Sequence, residues 1–147
     1  MANSNIRREV EDWIRGDWLP EQFGQTFERR RVALSTGGDY QFSAVSDDDR
    51  VVAVVSTSGA LTSSGNLGAG KLQKIRADML FLTMLGVCDK RLIVMTEQSM
   101  YDQMMKEKEA GRVPPPIEFM LARLPRELRK RLTAAQRDAS AEMSGAD

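Results

Sequence analysis

Five consecutive apolar residues, Val51 to Val55, constrain this chain more than any other feature. A run so short, β-branched and uncharged reads as a strand covered on both faces, because a half-exposed strand would alternate apolar with polar. Such a strand belongs inside a sheet with helices on either side, which predicts a layered α/β domain. Turn residues bracket it. Asp47-Asp48-Asp49 precede the run, and aspartate suits a turn because its side chain can bond its own backbone. Ser56-Thr57-Ser58-Gly59 open a long hydroxyl- and glycine-rich loop behind it.

The flanking periodicities fill in the rest. Ser4 is expected to cap a helix whose residues Ile6, Val10, Trp13 and Ile14 share one face, with Gly16 ending it and a helical turn starting at Pro20. From Thr26 the period is two, but neither side of Phe27 to Leu34 is cleanly apolar, which predicts a strand at an edge or only partly covered. Tyr40, Phe42, Ala44 and Ser46 alternate with Gln41, Ser43 and Val45 in a second strand, so three strands in a row read as an antiparallel meander. Lys71 to Leu85 is helical, burying Leu72, Ile75, Met79, Leu82 and Leu85. Arg91 to Met95 is a further buried strand, Glu97 to Ala110 a helix, Ile117 to Leu124 a last strand after three prolines, and Arg126 to about Ala141 a final helix. The expectation is one domain over 1–143, with a core at 4–97, a helix-strand-helix extension at 98–141 and a loose tail at 144–147.

Composition removes several chemistries. The 147 residues include 21 Lys and Arg against 21 Asp and Glu, and no general basic excess advertises a nucleic-acid or anionic-membrane binder, although a local patch is allowed. There is no histidine, which excludes a Ser-His or Cys-His catalytic pair and any histidine-ligated metal. The one cysteine, Cys88, reads as a small buried hydrophobe, since no histidine is present to activate it. The N-terminal residues lack a signal-peptide core, and the longest apolar run, Met79 to Val87, is too short to span a bilayer. A cytoplasmic protein without membrane contact is expected.

Two motifs bear on function. Gly65 to Lys71 matches G-x-x-x-x-G-K letter for letter, but Leu72 stands where a hydroxyl would hold magnesium, and the preceding strand ends well before the loop. The match reads as accidental. The second is the order helix, three strands, helix, strand over Ser4 to Met95. Together with GGDYQFSAVSDDDRVVAVVSTS, KLQKIRADMLFLTML and KRLIVMT, it resembles the core of the PD-(D/E)xK, or restriction-endonuclease-like, nuclease superfamily. The resemblance implies an αβββαβ core with a mixed sheet flanked by helices. It also implies a site in which an aspartate on one strand faces a (D/E)-x-K on the next.

Laid on this chain, the aspartate position falls at Ser43, or at Asp39 with a shifted register, and the (D/E)-x-K at Val54-Val55-Ser56. Valine cannot bind Mg²⁺, and serine cannot replace a cationic amine. The resemblance therefore implies a degenerate, noncatalytic member without cofactor, binding nucleic acid or a protein partner; a homo-oligomer stays open. The alternative is a small Mg²⁺-dependent nuclease with a rearranged site built from Glu9, Asp39 and Lys71, or Lys74 as the migrated lysine. For binding, the candidates are Ser56, Thr57, Ser58, Lys71, Lys74 and Arg76, with Thr62, Ser63 and Ser64 adding hydroxyls around one helix N-terminus. The basic helix at Arg126 to Arg131 reads as a solvated face or an oligomer interface.

Overall fold

A computed structural model describes residues 2–62 and 64–145, with side chains for 5–62 and 64–138. The elements in chain order are α1 (Ala2–Trp13), a wide π-helical turn (Ile14–Trp18), α2 (Leu19–Phe23), β1 (Phe27–Ala33), β2 (Asp39–Ser46), β3 (Val51–Ser56), α3 (Ala69–Thr83), β4 (Lys90–Met95), α4 (Gln98–Glu109), β5 (Ile117–Leu121) and α5 (Arg126–Gly145). The five strands form one mixed sheet in sequence order, antiparallel from β1 to β3 and parallel from β3 to β5. No helix among the described residues is long and apolar enough to cross a membrane.

The uncharged run becomes the central strand β3. Val52 and Val54 enter a cluster with Leu72, Ile75, Met79 and Leu82 of α3 and Met100 and Met104 of α4. Val51 and Ala53 face the opposite layer, with Ile6 and Val10 of α1, Ile14 and Leu19 behind it, and Leu132 of α5. Both faces of β3 are thus sealed, and each apolar side chain so buried contributes roughly 1.5–3 kcal/mol. Trp13 and Trp18 are half-buried against the second layer. β1 lies at the sheet edge as its pattern implied, its arginines paired to Glu11, Glu28, Asp39 and Asp49.

Three expectations need correction. The first helix begins at Ala2, so Ser4 lies inside it, and Gly16 does not end it. The chain widens into the π-helical turn, where Leu19 donates its N–H to Ile14 O, and continues to Gly24, which closes α2 in the left-handed conformation (φ 69°). Pro20 explains this: in a regular helix its ring would meet the carbonyl four residues back, and the wider turn relieves that clash. Second, β2 does not alternate throughout. Glu28 pairs with Val45 and Arg30 with Phe42, so β2 spends one residue more than β1. This bulge turns Phe42 and Val45 to one layer and Ala44 to the other. Third, β5 stops at Leu121, and α5 extends through Gly145. The last two residues of the expected tail, 146 and 147, lie outside the described residues.

Candidate functional site

β2 and β3 pair only at Ala44↔Ala53 and Val45↔Val52, then part toward the carboxyl end of β3. The bulge drives this separation. In place of a ladder bond, Ser43 Oγ accepts the Val55 N–H at 3.1 Å, while the Ser43 carbonyl accepts from Arg15 Nη1 at 3.1 Å. Ser43 therefore spends both its hydroxyl and its carbonyl on repairing the bulge. Val54, 5% exposed, fills the core under α3. The Ser56 hydroxyl accepts a long bond (3.5 Å) from the Ser58 N–H. Ser43 and Val54 are thus committed to the fold's own bonding and packing, while Ser56 is half-buried with only that weak contact.

The rearranged set does not assemble. Glu9 is exposed on α1 and bound to Arg131 of α5 (2.6 Å); this hydrogen bond holds its carboxyl below the usual glutamate value. Asp39 pairs with Arg31 at the outer edge of the sheet (2.7 Å). Lys71 Nζ donates to Leu61 O (3.3 Å). Among the described residues no three carboxylate or thiolate groups gather to hold a metal ion, so the donor set does not fit Mg²⁺.

The G-x-x-x-x-G-K segment does not form a phosphate cradle either. Leu61 and Leu67 are bridged as a small hairpin, and the N–H groups of Thr62, Gly65 and Gly68 bond to Asn66 O, Thr62 O and Ala60 O. Ser63 lies outside the described residues. Arg76 turns away toward Glu107 of α4 (3.8 Å).

What does converge is a depression of about 200 Å³ where the hairpin parts, lined by Arg7 of α1, Val55 to Ser58, and Lys74 and Asp78 of α3. Its floor is tied to three helices. Arg7 Nη1 donates to Thr57 Oγ1 (2.9 Å), Gln136 Nε2 of α5 donates to Thr57 O (2.9 Å), and Ser99 Oγ of α4 accepts the Ala60 N–H (3.0 Å). A loop pinned from three sides holds its hydroxyls in fixed positions. Lys74 stands over it, mostly exposed, with Nζ 3.0 and 3.2 Å from the two oxygens of Asp78.

Asp78 itself is buried, and burial raises its carboxyl pKa above the usual aspartate value, against the lowering effects of Lys74 and the Tyr40 hydroxyl. Because the folded-state pKa is raised, the charged form is less favourable in the fold than in the unfolded chain. Stability from this group is complete below the ordinary aspartate pKa and is lost as pH rises through the raised one. Asp78→Asn is expected to flatten that part of the profile and to be the more stable form at neutral pH. Denaturant titrations between about pH 3 and 7 measure this, and parallel wild-type and variant profiles would refute it.

Arg7, Asp78 and Gln136 escaped the sequence reading. Asp78 left a signal: a carboxylate inside the apolar stripe Ile75, Met79, Leu82, four residues after Lys74. Arg7 and Gln136 left none, since polar residues on a helix flank look solvated until the tertiary fold sets them against a loop. No family model, curated protein or solved structure matches the chain.

Proposed function

We propose that this chain is a noncatalytic domain with a restriction-endonuclease-like core that grips the phosphate backbone of a nucleic acid where the β2–β3 hairpin parts. The observation that carries this reading is the convergence of Arg7 and Lys74 on the pinned hydroxyl loop Ser56 to Ser58. Lys71, in the first turn of α3, lies outside this depression with its Nζ on Leu61 O. Guanidinium, ammonium and hydroxyl donors without a metal-binding carboxylate set suit phosphate contact and not phosphodiester hydrolysis. The αβββαβ order over Ser4 to Met95, with Ser43 and Val54 spent on bonding and packing, supports reading the chain as a fold relative that has lost the chemistry.

Two cations line the depression, Arg7 and Lys74, the latter shared with Asp78, and they set the upper size of the effect. Duplex DNA affinity should fall with a log–log salt slope of about −1.8, roughly 12-fold between about 50 and 200 mM salt. Lys74→Ala should reduce the slope by about 0.9, and EDTA should change nothing. Fluorescence anisotropy with labelled duplex and single-stranded oligonucleotides reads both. Absence of binding at low salt, with recovery of a protein partner instead, would replace this reading with a protein interface. Plasmid nicking in Mg²⁺ or Mn²⁺ that Glu9→Ala or Asp39→Ala abolished would overturn the noncatalytic assignment.

A further inference from the structure

A second, larger cavity of about 450 Å³ opens at the carboxyl ends of β4 and β5, two strands away from the parted hairpin. Its origin is topological. The chain leaving β4 enters α4, which packs on the layer containing Met100 and Met104. The chain leaving β5 enters α5, which packs Leu132 and Ala135 on the opposite layer. Neighbouring parallel strands whose connections leave to opposite faces open a crevice between them, the place where open α/β sheets take their ligands. The volume lies within the range of small-molecule sites.

The lining has a definite chemistry. The half-buried Leu121 and Leu124 form an aliphatic wall, and no aromatic residue lines the cavity to stack on a base. Across from it, Glu97 Oε2 accepts from Thr96 Oγ1 and from Arg129 Nη1, both at 2.8 Å, and Arg129 Nη2 also donates to Thr96 O. The Glu97–Arg129 pair is thereby neutral, while Arg129 keeps N–H donors beyond those two bonds. Arg123, exposed on the cavity lining, has no ion-pair partner among the described residues. The crevice therefore carries one uncompensated positive charge, set against an aliphatic surface.

We infer that this crevice binds a small aliphatic carboxylate, its head held by the Arg123 guanidinium and its hydrocarbon body laid on Leu121 and Leu124. A carboxylate matches the single net charge and the fork of N–H donors that arginine offers. A phosphate monoester carries more charge than the crevice neutralises.

Hexanoate is the probe, compared with acetate, which has only the head, and hexanol, which has only the body. Amide chemical-shift titrations of the full chain should show hexanoate saturating below about 10 mM, with shifts concentrated at 96–98 and 121–124. Acetate and hexanol should each bind about tenfold more weakly or worse. Arg123→Ala, an exposed substitution, should weaken hexanoate about tenfold while leaving the DNA salt slope unchanged; Arg123→Lys should recover part of the loss. Equal binding of hexanol and hexanoate, shifts elsewhere, no saturation, or no effect of Arg123→Ala would each overturn the site. Since Arg7, Lys71 and Lys74 lie outside this cavity, failure here leaves the nucleic-acid reading intact, and the reverse also holds.

Discussion

Val54→Glu should destabilise the fold by roughly 4 kcal/mol, the sum of lost aliphatic burial, a larger side chain forced into a filled space, and a carboxyl without a partner. Val54 is 5% exposed and packs in the cluster of α3 and α4. In a chain of this length the loss corresponds to about 12 °C in the melting temperature. The substitution is informative because it places an acid where a resemblance to the (D/E)-x-K nucleases would put one. In a nuclease-like cleft with its metal-binding geometry intact, a glutamate there would be tolerated, and millimolar Mg²⁺ would raise its melting temperature. Here Mg²⁺ should give no rescue, whether alone or combined with Ser56→Lys. Val54→Thr, nearly isosteric but with one buried hydroxyl, should cost about 1–3 kcal/mol. A Val54→Glu variant that melts with the wild type, or that Mg²⁺ restabilises, would show that the position faces an open site and not the core.

The layered architecture was legible because its signals are periodic and redundant. Val51 to Val55 announced a strand sealed on both sides, and the stripe from Leu72 to Leu85 announced the helix that seals one of them. The local irregularities were not legible, and they are what shape the site. The bulge at Ser43 adds one residue to β2 without changing its composition, so strict alternation assigned Ala44 and Phe42 to one face. That slip decides where the hairpin parts and what Ser43 does. The π-helical turn similarly hid behind Gly16, a residue that ordinarily marks a helix end, while the consequence of Pro20 for the preceding carbonyl passed unread.

The binding candidates divide along the same line. Ser56 to Ser58 and Lys74 sit together because one short strand leads into the loop and one helix crosses its end. Arg76, two residues from Lys74, points to α4 instead, since two helical positions differ by about 200° around the axis. Residue type and nearness in sequence grouped them; only the helical phase separates them. Arg7 joins from the opposite layer, a partnership that sequence distance conceals.

Arg91→Ala is expected to cost about 3 kcal/mol, near 9 °C in melting temperature, although the residue touches neither candidate site. α3 ends without a basic residue in its last turn, and its last carbonyls are met only in part by the long backbone bonds from Met84 and Leu85 (3.2–3.3 Å). Arg91, near the start of β4, supplies the donors: Nε to Leu82 O (2.9 Å), Nη1 to Cys88 O (3.1 Å), and Nη2 to Leu85 O (3.1 Å) and Gly86 O (2.9 Å). One guanidinium thus caps the helix and orders the α3–β4 connection. Water can replace it at the exposed Gly86 but less readily at half-buried Cys88 or buried Leu82, which keeps the net effect below four full charged hydrogen bonds. Arg91→Lys should recover less than half, because an ammonium on a flexible stem cannot reproduce the fork that spans four carbonyls. Denaturant unfolding measures the loss, and hydrogen exchange should show faster opening at 85–90 than in the β3–β4 ladder. A cost under about 1 kcal/mol would mean that water caps α3 unaided and that the four bonds only decorate a helix end already stable without them.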